Sequence, residues 1–296
     1  MMIQSLSGIF PALTTPFENG NLSVERLTGN IEKYNRLDLA GYLVLGSTGE
    51  GILMDEAERL KAIEAVRSAS AEGKIIVVGT GAQSTRATIE FTNRAGEAGA
   101  HYALVVTPFY FKAQMTARSL EAYYREVAEE AKIPILLYNV PKFTGLDLPL
   151  ETVVSLATHP NIVGLKDSTG NIASLGQILR ACPPNFSILQ GSGSVLLASL
   201  VLGASGAILA LSDMAPAETV EIFRLFRQGE LEKAKVIQLR IIEVNQKIVG
   251  SYGVPGIKHA LNLLGYFGGE PRSPLQPVSK EVGDSISQLL VDAGLL

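Results

Sequence analysis

Lys166 closes the apolar run Ile162-Val-Gly-Leu165, so its amine is carried by a segment with the composition of a buried strand. Burial disfavours an ammonium ion and leaves a neutral amine, the nucleophile that forms a Schiff base with a ketone. The competing reading is a strand-end lysine with its head in solvent. Tyr138 closes a second run, Ile135-Leu-Leu137. Its phenol suits the passing of a proton to or from a lysine adduct, although such a tyrosine also serves as an amphipathic core residue. A third run, Tyr42-Leu-Val-Leu45, leads into Gly46-Ser-Thr-Gly-Glu50. Ser47 and Thr48 offer hydroxyls and backbone N–H groups to a carboxylate, or else cap the helix that follows. Glu50 is expected to be structural, accepting N–H groups of its loop. Gly191-Ser-Gly193 has the form of a phosphate-binding turn but lacks a basic neighbour.

The composition narrows the alternatives. Lys and Arg total 25 against 29 Asp and Glu, a net charge of −4, which argues against nucleic acid as a partner. A single cysteine, Cys182, excludes an internal disulfide and a cysteine-based zinc cluster. The histidines at 101, 159 and 259 have no ligand spacing, so no metal is expected and each histidine is read as structural. The apolar stretch Val195–Leu211 is broken by Gly203, Ser205 and Gly206 and is shorter than the ~20 residues that span a bilayer. It predicts a buried helix, a turn and a buried strand, with no membrane contact. The N-terminal residues lack a basic region and an apolar core, so no secretory signal is expected and the location is taken as cytoplasmic.

The elements that must position these groups follow from periodicity. Eight short runs recur: Ile9–Leu13, Tyr42–Leu45, Ile75–Val78, Tyr102–Val106, Ile135–Tyr138, Ile162–Lys166, Ser187–Gln190 and Ala207–Ala210. Continuous rather than alternating apolar character indicates burial on both faces and parallel pairing. Eight strands with helices between them predict an α/β fold of the (β/α)8 TIM-barrel type, whose chemistry sits at the C-terminal strand ends. A doubly wound sheet fits less well, since it favours a Gly-rich first turn and here Pro11 and Pro16 bracket it. Residues 1–228 are assigned to the catalytic barrel. Residues 229–296 contain no strand run and predict a C-terminal helical extension of three helices, Glu230–Lys247, Gly256–Leu264 and Lys280–Ala293.

Taken together, Gly46-Ser-Thr-Gly-Glu50, Tyr138-Asn-Val-Pro141 and Gly164-Leu-Lys-Asp-Ser-Thr-Gly170 resemble the dihydrodipicolinate synthase and N-acetylneuraminate lyase superfamily over nearly the whole chain. The resemblance implies a (β/α)8 barrel, a homotetramer, no metal and no organic cofactor. It implies that Lys166 forms an imine with pyruvate or another 2-oxo acid and that Tyr138 shuttles protons. It further implies that Thr48 relays protons between Tyr138 and Tyr110, with Tyr110 reaching in from a neighbouring subunit. Ser47 and Thr48 would hold the 2-oxo acid carboxylate, and Gly191 and Ile208 would line the pocket.

Within that superfamily the segments point to different branches. Dihydrodipicolinate synthases carry an arginine for the second substrate's carboxylate where this chain has Phe143 in Tyr138-Asn-Val-Pro-Lys-Phe-Thr-Gly145. Sialic acid lyases place two acids after strand seven, where this chain has Ser192-Gly-Ser194. Similarity to 4-hydroxy-2-oxoglutarate aldolases runs through Tyr138–Leu148, His159–Gly164, Gly253–Gly256, Gly265–Gly269 and Pro274–Gln276, with Ser168 as a pocket serine. The expectation is therefore a lyase cleaving 4-hydroxy-2-oxoglutarate to pyruvate and glyoxylate. The alternatives are a synthase condensing pyruvate with aspartate semialdehyde and a non-catalytic 2-oxo acid binder.

Overall fold

The computed structural model describes residues 6–296. Its centre is a sheet of eight strands: β1 Gly8–Pro11, β2 Gly41–Val44, β3 Ile75–Gly79, β4 Tyr102–Val106, β5 Ile135–Asn139, β6 Ile162–Asp167, β7 Ser187–Gln190 and β8 Gly206–Leu209. They lie in the order β1-β8-β7-β6-β5-β4-β3-β2, with parallel pairing throughout. The remaining edges meet through a parallel bridge between Ala12 and Leu43, which makes the sheet a (β/α)8 barrel.

Side chains leave each strand in alternation and divide into two apolar layers. Phe10, Leu43, Val77, Leu104, Leu136, Leu189 and Ile208 fill the barrel. Val105, Leu137, Leu165 and Ile188 face outward into the helical layer. Because both faces are buried, the strand runs are apolar without a break, the pattern seen in the sequence. Each fully buried side chain of this size contributes about 1.5–3 kcal/mol.

The intervening helices begin where their sequences provide caps. Asp55 and Glu58 form a reciprocal capping box, and Ser84, Thr116, Asn171 and Ser279 each accept an amide three residues on. Such a cap is typically worth about 1 kcal/mol. Val195–Leu211 forms the expected helix, turn and strand, Leu196–Leu202 followed by β8. No helix among the described residues is long and apolar enough to cross a membrane.

Two features depart from expectation. A two-residue hairpin, Phe17–Glu18 with Asn21–Leu22, follows β1, and pairing this short leaves no periodic trace in a sequence. In the C-terminal region the first predicted helix is α-helical only over Leu231–Glu243. It continues as a π-helical stretch, Val244–Tyr252, directly into Gly253–Leu263. A register change of this kind keeps the backbone bonded while rotating the face, so a 3.6-residue pattern does not report it. The segment packs on the barrel through Gln238, which donates to the Gly193 carbonyl at 3.0 Å, and Asn245, which donates to Ser194 Oγ at 2.8 Å.

Candidate active site

The pairing of β5 with β6 sets Tyr138 opposite Lys166. Since Leu137 and Leu165 point outward, alternation turns both of these residues into the barrel mouth. Lys166 is 4% exposed and its Nζ lies 4.5 Å from the centroid of the Tyr138 ring, itself 6% exposed. The solvated strand-end alternative for the lysine is thereby removed. Ile208 belongs to the same interior cluster as Tyr138.

Other predicted residues converge on the same rim. Ser168 follows β6 and its amide donates to the Asn139 carbonyl at 2.9 Å. Its hydroxyl lies against Gly191: a Cβ there would stand 2.0 Å from Ser168 Oγ, so only glycine admits this approach. Ser47 and Thr48 are half-buried in the turn after β2. That turn is tied to the loop after β1 by Thr15, whose hydroxyl donates to the Gly49 carbonyl at 2.6 Å. Asp167 points the other way, accepting from Asn139 at 3.0 Å and Thr169 at 2.6 Å, which fixes the loop that follows Lys166.

Tyr110 is 76% exposed in the single chain and packs edge-on against Phe111 at 5.0 Å. The Gly191–Gly193 turn does not offer free amides to a phosphate. The N–H groups of Gly191 and Ser192 both donate to the Gln190 side chain at 2.8 Å, and Gly191 N–H also meets the Asp167 carbonyl. Residues 141–144 form a short helix started by Pro141. Lys142 donates to the Gly250 carbonyl at 2.6 Å, while Phe143 is 58% exposed.

Sequence inspection missed Asp213. It sits in the short helix Leu211–Met214 after β8, fully buried, and neither carboxylate oxygen finds a hydrogen-bond partner among the described residues. Burial pushes its pKa well above the usual carboxylate range, while the Thr14 backbone and the Lys166 charge pull it down less strongly. Burial is thus the dominant influence on this carboxyl and favours its protonated form. With its folded pKa raised, Asp213 keeps a proton that the unfolded chain loses above pH ~4, so its contribution to stability falls as pH rises from there. Asp213→Asn is expected to leave the melting temperature unchanged near pH 4 and to raise it at pH 8. A variant that melts lower than the parent at pH 8 would show an ionised, partnered aspartate instead.

Among the described residues no group of three or more His, Cys, Asp or Glu is placed to hold a metal ion. The chemistry available is that of a buried amine beside a phenol, with hydroxyls at other strand ends of the same barrel face.

Comparison with known proteins identifies the family. The model of the dihydrodipicolinate synthetase family matches residues 5–293. A 4-hydroxy-tetrahydrodipicolinate synthase of Exiguobacterium sp. is 37% identical over 276 residues, covering 92% of this chain and 93% of the relative. The synthase of Methanothrix thermoacetophila is 34% identical, covering 93% and 92%. Among solved structures, dihydrodipicolinate synthase from Thermotoga maritima superposes with a TM-score of 0.94 at 29% identity, covering 99% and 100%. YagE, a prophage protein of the same family from E. coli K12 in complex with pyruvate, gives 0.93 at 28% identity, covering 98% and 99%. The curated relatives quoted are named for the condensing reaction. The preference for the 4-hydroxy-2-oxoglutarate aldolase branch finds no support among them, and the synthase alternative fits better. Several of the shared runs that suggested the aldolase, at 253–256, 265–269 and 274–276, lie beyond β8, outside the strand ends that carry Tyr138 and Lys166. The chain belongs to the dihydrodipicolinate synthetase family, a family of lyases and synthases.

Proposed function

We propose that this chain condenses pyruvate with an aldehyde through an imine on Lys166, the acceptor being aspartate semialdehyde. The observation that carries the proposal is the buried Lys166 amine set beside Tyr138 by the β5–β6 register. Ser47 and Thr48 hold the pyruvate carboxylate, which fixes C2 within reach of the amine. The Lys166 nitrogen adds to C2 and water leaves, giving an iminium ion that acts as an electron sink. Loss of a C3 proton, relayed through Tyr138 and Thr48, produces the enamine. Its C3 attacks the aldehyde carbon, Tyr138 returns a proton to the new alkoxide, and water then frees the lysine. Ser168, Gly191 and Ile208 wall the pocket. Tyr110, exposed in a single chain, completes the relay from a neighbouring subunit of a homotetramer. No cofactor or metal enters the scheme.

On this reading Lys112 would supply the cation for the acceptor's carboxylate in place of an arginine at 143. A Cβ added at Gly145 would stand 2.6 Å from Lys112 Nζ, so this ammonium lies over the loop that bears Phe143.

Phe143 itself favours a second reading, cleavage of 4-hydroxy-2-oxoglutarate to pyruvate and glyoxylate. A phenyl ring offers no donor where a charged hydrogen bond would contribute roughly 1.5–3 kcal/mol. Phe143→Arg is expected to raise kcat/KM for the semialdehyde by about tenfold, since 1.4 kcal/mol is one factor of ten. The ratio of kcat/KM for condensation to that for cleavage on the unmodified protein decides between the two. A ratio favouring cleavage replaces the synthase reading with the aldolase one.

A further inference from the structure

The turn that carries Ser47 and Thr48 is anchored from the C-terminal region by a buried cluster of charges. Glu50 ends the turn with a left-handed backbone, φ 54°, and Leu45 begins it at φ 59°. Two non-glycine residues in that region within six positions mark a backbone that its surroundings must hold in place. The Glu50 carboxylate does the holding. Its Oε1 pairs with Lys258 Nζ at 2.5 Å, an ion pair not aligned as a hydrogen bond, and both side chains are 1% exposed. Its Oε2 accepts the Arg272 backbone N–H at 2.7 Å.

The cations are themselves fixed. Lys258 donates to the Glu270 carbonyl at 2.8 Å and lies 4.4 Å from the Phe17 ring centroid. The Arg272 guanidinium covers the same ring at 4.0 Å, grips both Glu58 oxygens at 2.6 and 2.7 Å, and donates to the Gly20 and Leu53 carbonyls. Residues 17–22, 50–58 and 258–272 are therefore stitched together at the end of β2.

A buried ion pair is a poor source of stability, because desolvation offsets most of the attraction and apolar residues of equal volume do as well or better. Directionality is what charges add: they fix where Glu50 sits, and Glu50 closes the turn. We infer that Lys258 and Arg272 are positioning residues that set the carboxylate-binding geometry of Ser47 and Thr48, so that affinity for the 2-oxo acid is governed from the C-terminal region. The inference rests on the reading of that turn as the carboxylate seat.

The test is borohydride trapping of the pyruvate imine on the full chain at graded pyruvate concentrations. Arg272→Gln and Lys258→Met are expected to raise the half-saturating pyruvate by about tenfold, in line with the cost of a small misplacement, while the maximal trapping rate changes little. Should Lys258→Met fail to fold, Arg272→Gln carries the test, since its side chain lies at a part-exposed rim. Ser279→Ala, which removes the cap of the distant helix Lys280–Asp292, controls for lost stability and is expected to leave half-saturation unchanged. Unchanged half-saturation in Arg272→Gln, or a shift of equal size in Ser279→Ala, would overturn the inference. Absence of any adduct on the unmodified protein would instead overturn the reading of the site, and the inference with it.

Discussion

Lys166→Ala is expected to leave the barrel folded and to reduce turnover at least about a thousandfold, the scale on which deletion of a covalent catalyst is felt. The barrel should survive because its interior is filled chiefly by apolar side chains such as Phe10, Leu43, Leu136 and Ile208, which the substitution does not touch. The lysine is nearly fully buried, and taking a polar amine out of water is unfavourable, so its loss need not destabilise the protein. What disappears is the nitrogen proposed to bond C2 of pyruvate. Circular dichroism and melting of the variant, measured beside its turnover, separate the two effects. A variant that is folded and retains a tenth or more of the parent's rate would remove Lys166 from the covalent role.

Tyr138→Phe is expected to cost turnover by about 10²–10⁴, the usual range for a positioned proton donor. The ring remains, so the packing against Leu136 and Ile208 and the 4.5 Å contact with the Lys166 amine are preserved. Only the hydroxyl is lost. The loss should fall on kcat more than on the pyruvate concentration needed for half-saturation, because the proton transfers follow binding. Kinetics showing an altered KM with an unchanged kcat would make Tyr138 a wall of the pocket instead of a proton carrier.

Much of the fold was legible because parallel strands buried on both faces write themselves as unbroken apolar runs. Ile135–Tyr138 and Ile162–Lys166 also pointed to the candidate site, since a polar residue that terminates such a run is carried to the barrel mouth. The contact of Ser168 with Gly191 was not legible from spacing alone, as the two residues lie on different strand ends and meet only when β6 and β7 pair. Asp213 was not singled out; it lies just past the apolar stretch Val195–Leu211. The one signal was an acid standing alone among Leu211, Met214 and Ala215 just after a strand. The partners of Glu50 were hidden by distance, for Arg272 is 222 residues away along the chain. Nothing in a local pattern links residues so far apart. The Phe143 substitution was read as removing a donor, while the Lys112 ammonium over Gly145 appears only once the two loops are side by side.

The central claim is that Lys166 forms an imine with pyruvate, and peptide mapping after borohydride reduction tests it most directly. Incubation with pyruvate and reductant should add one reduced pyruvyl group to the protein and abolish activity in proportion to labelling. Proteolysis should place the added mass on the peptide containing Lys166, and Lys166→Ala should take up none. A label on another lysine, equal labelling of Lys166→Ala, or no label at saturating pyruvate would contradict the account.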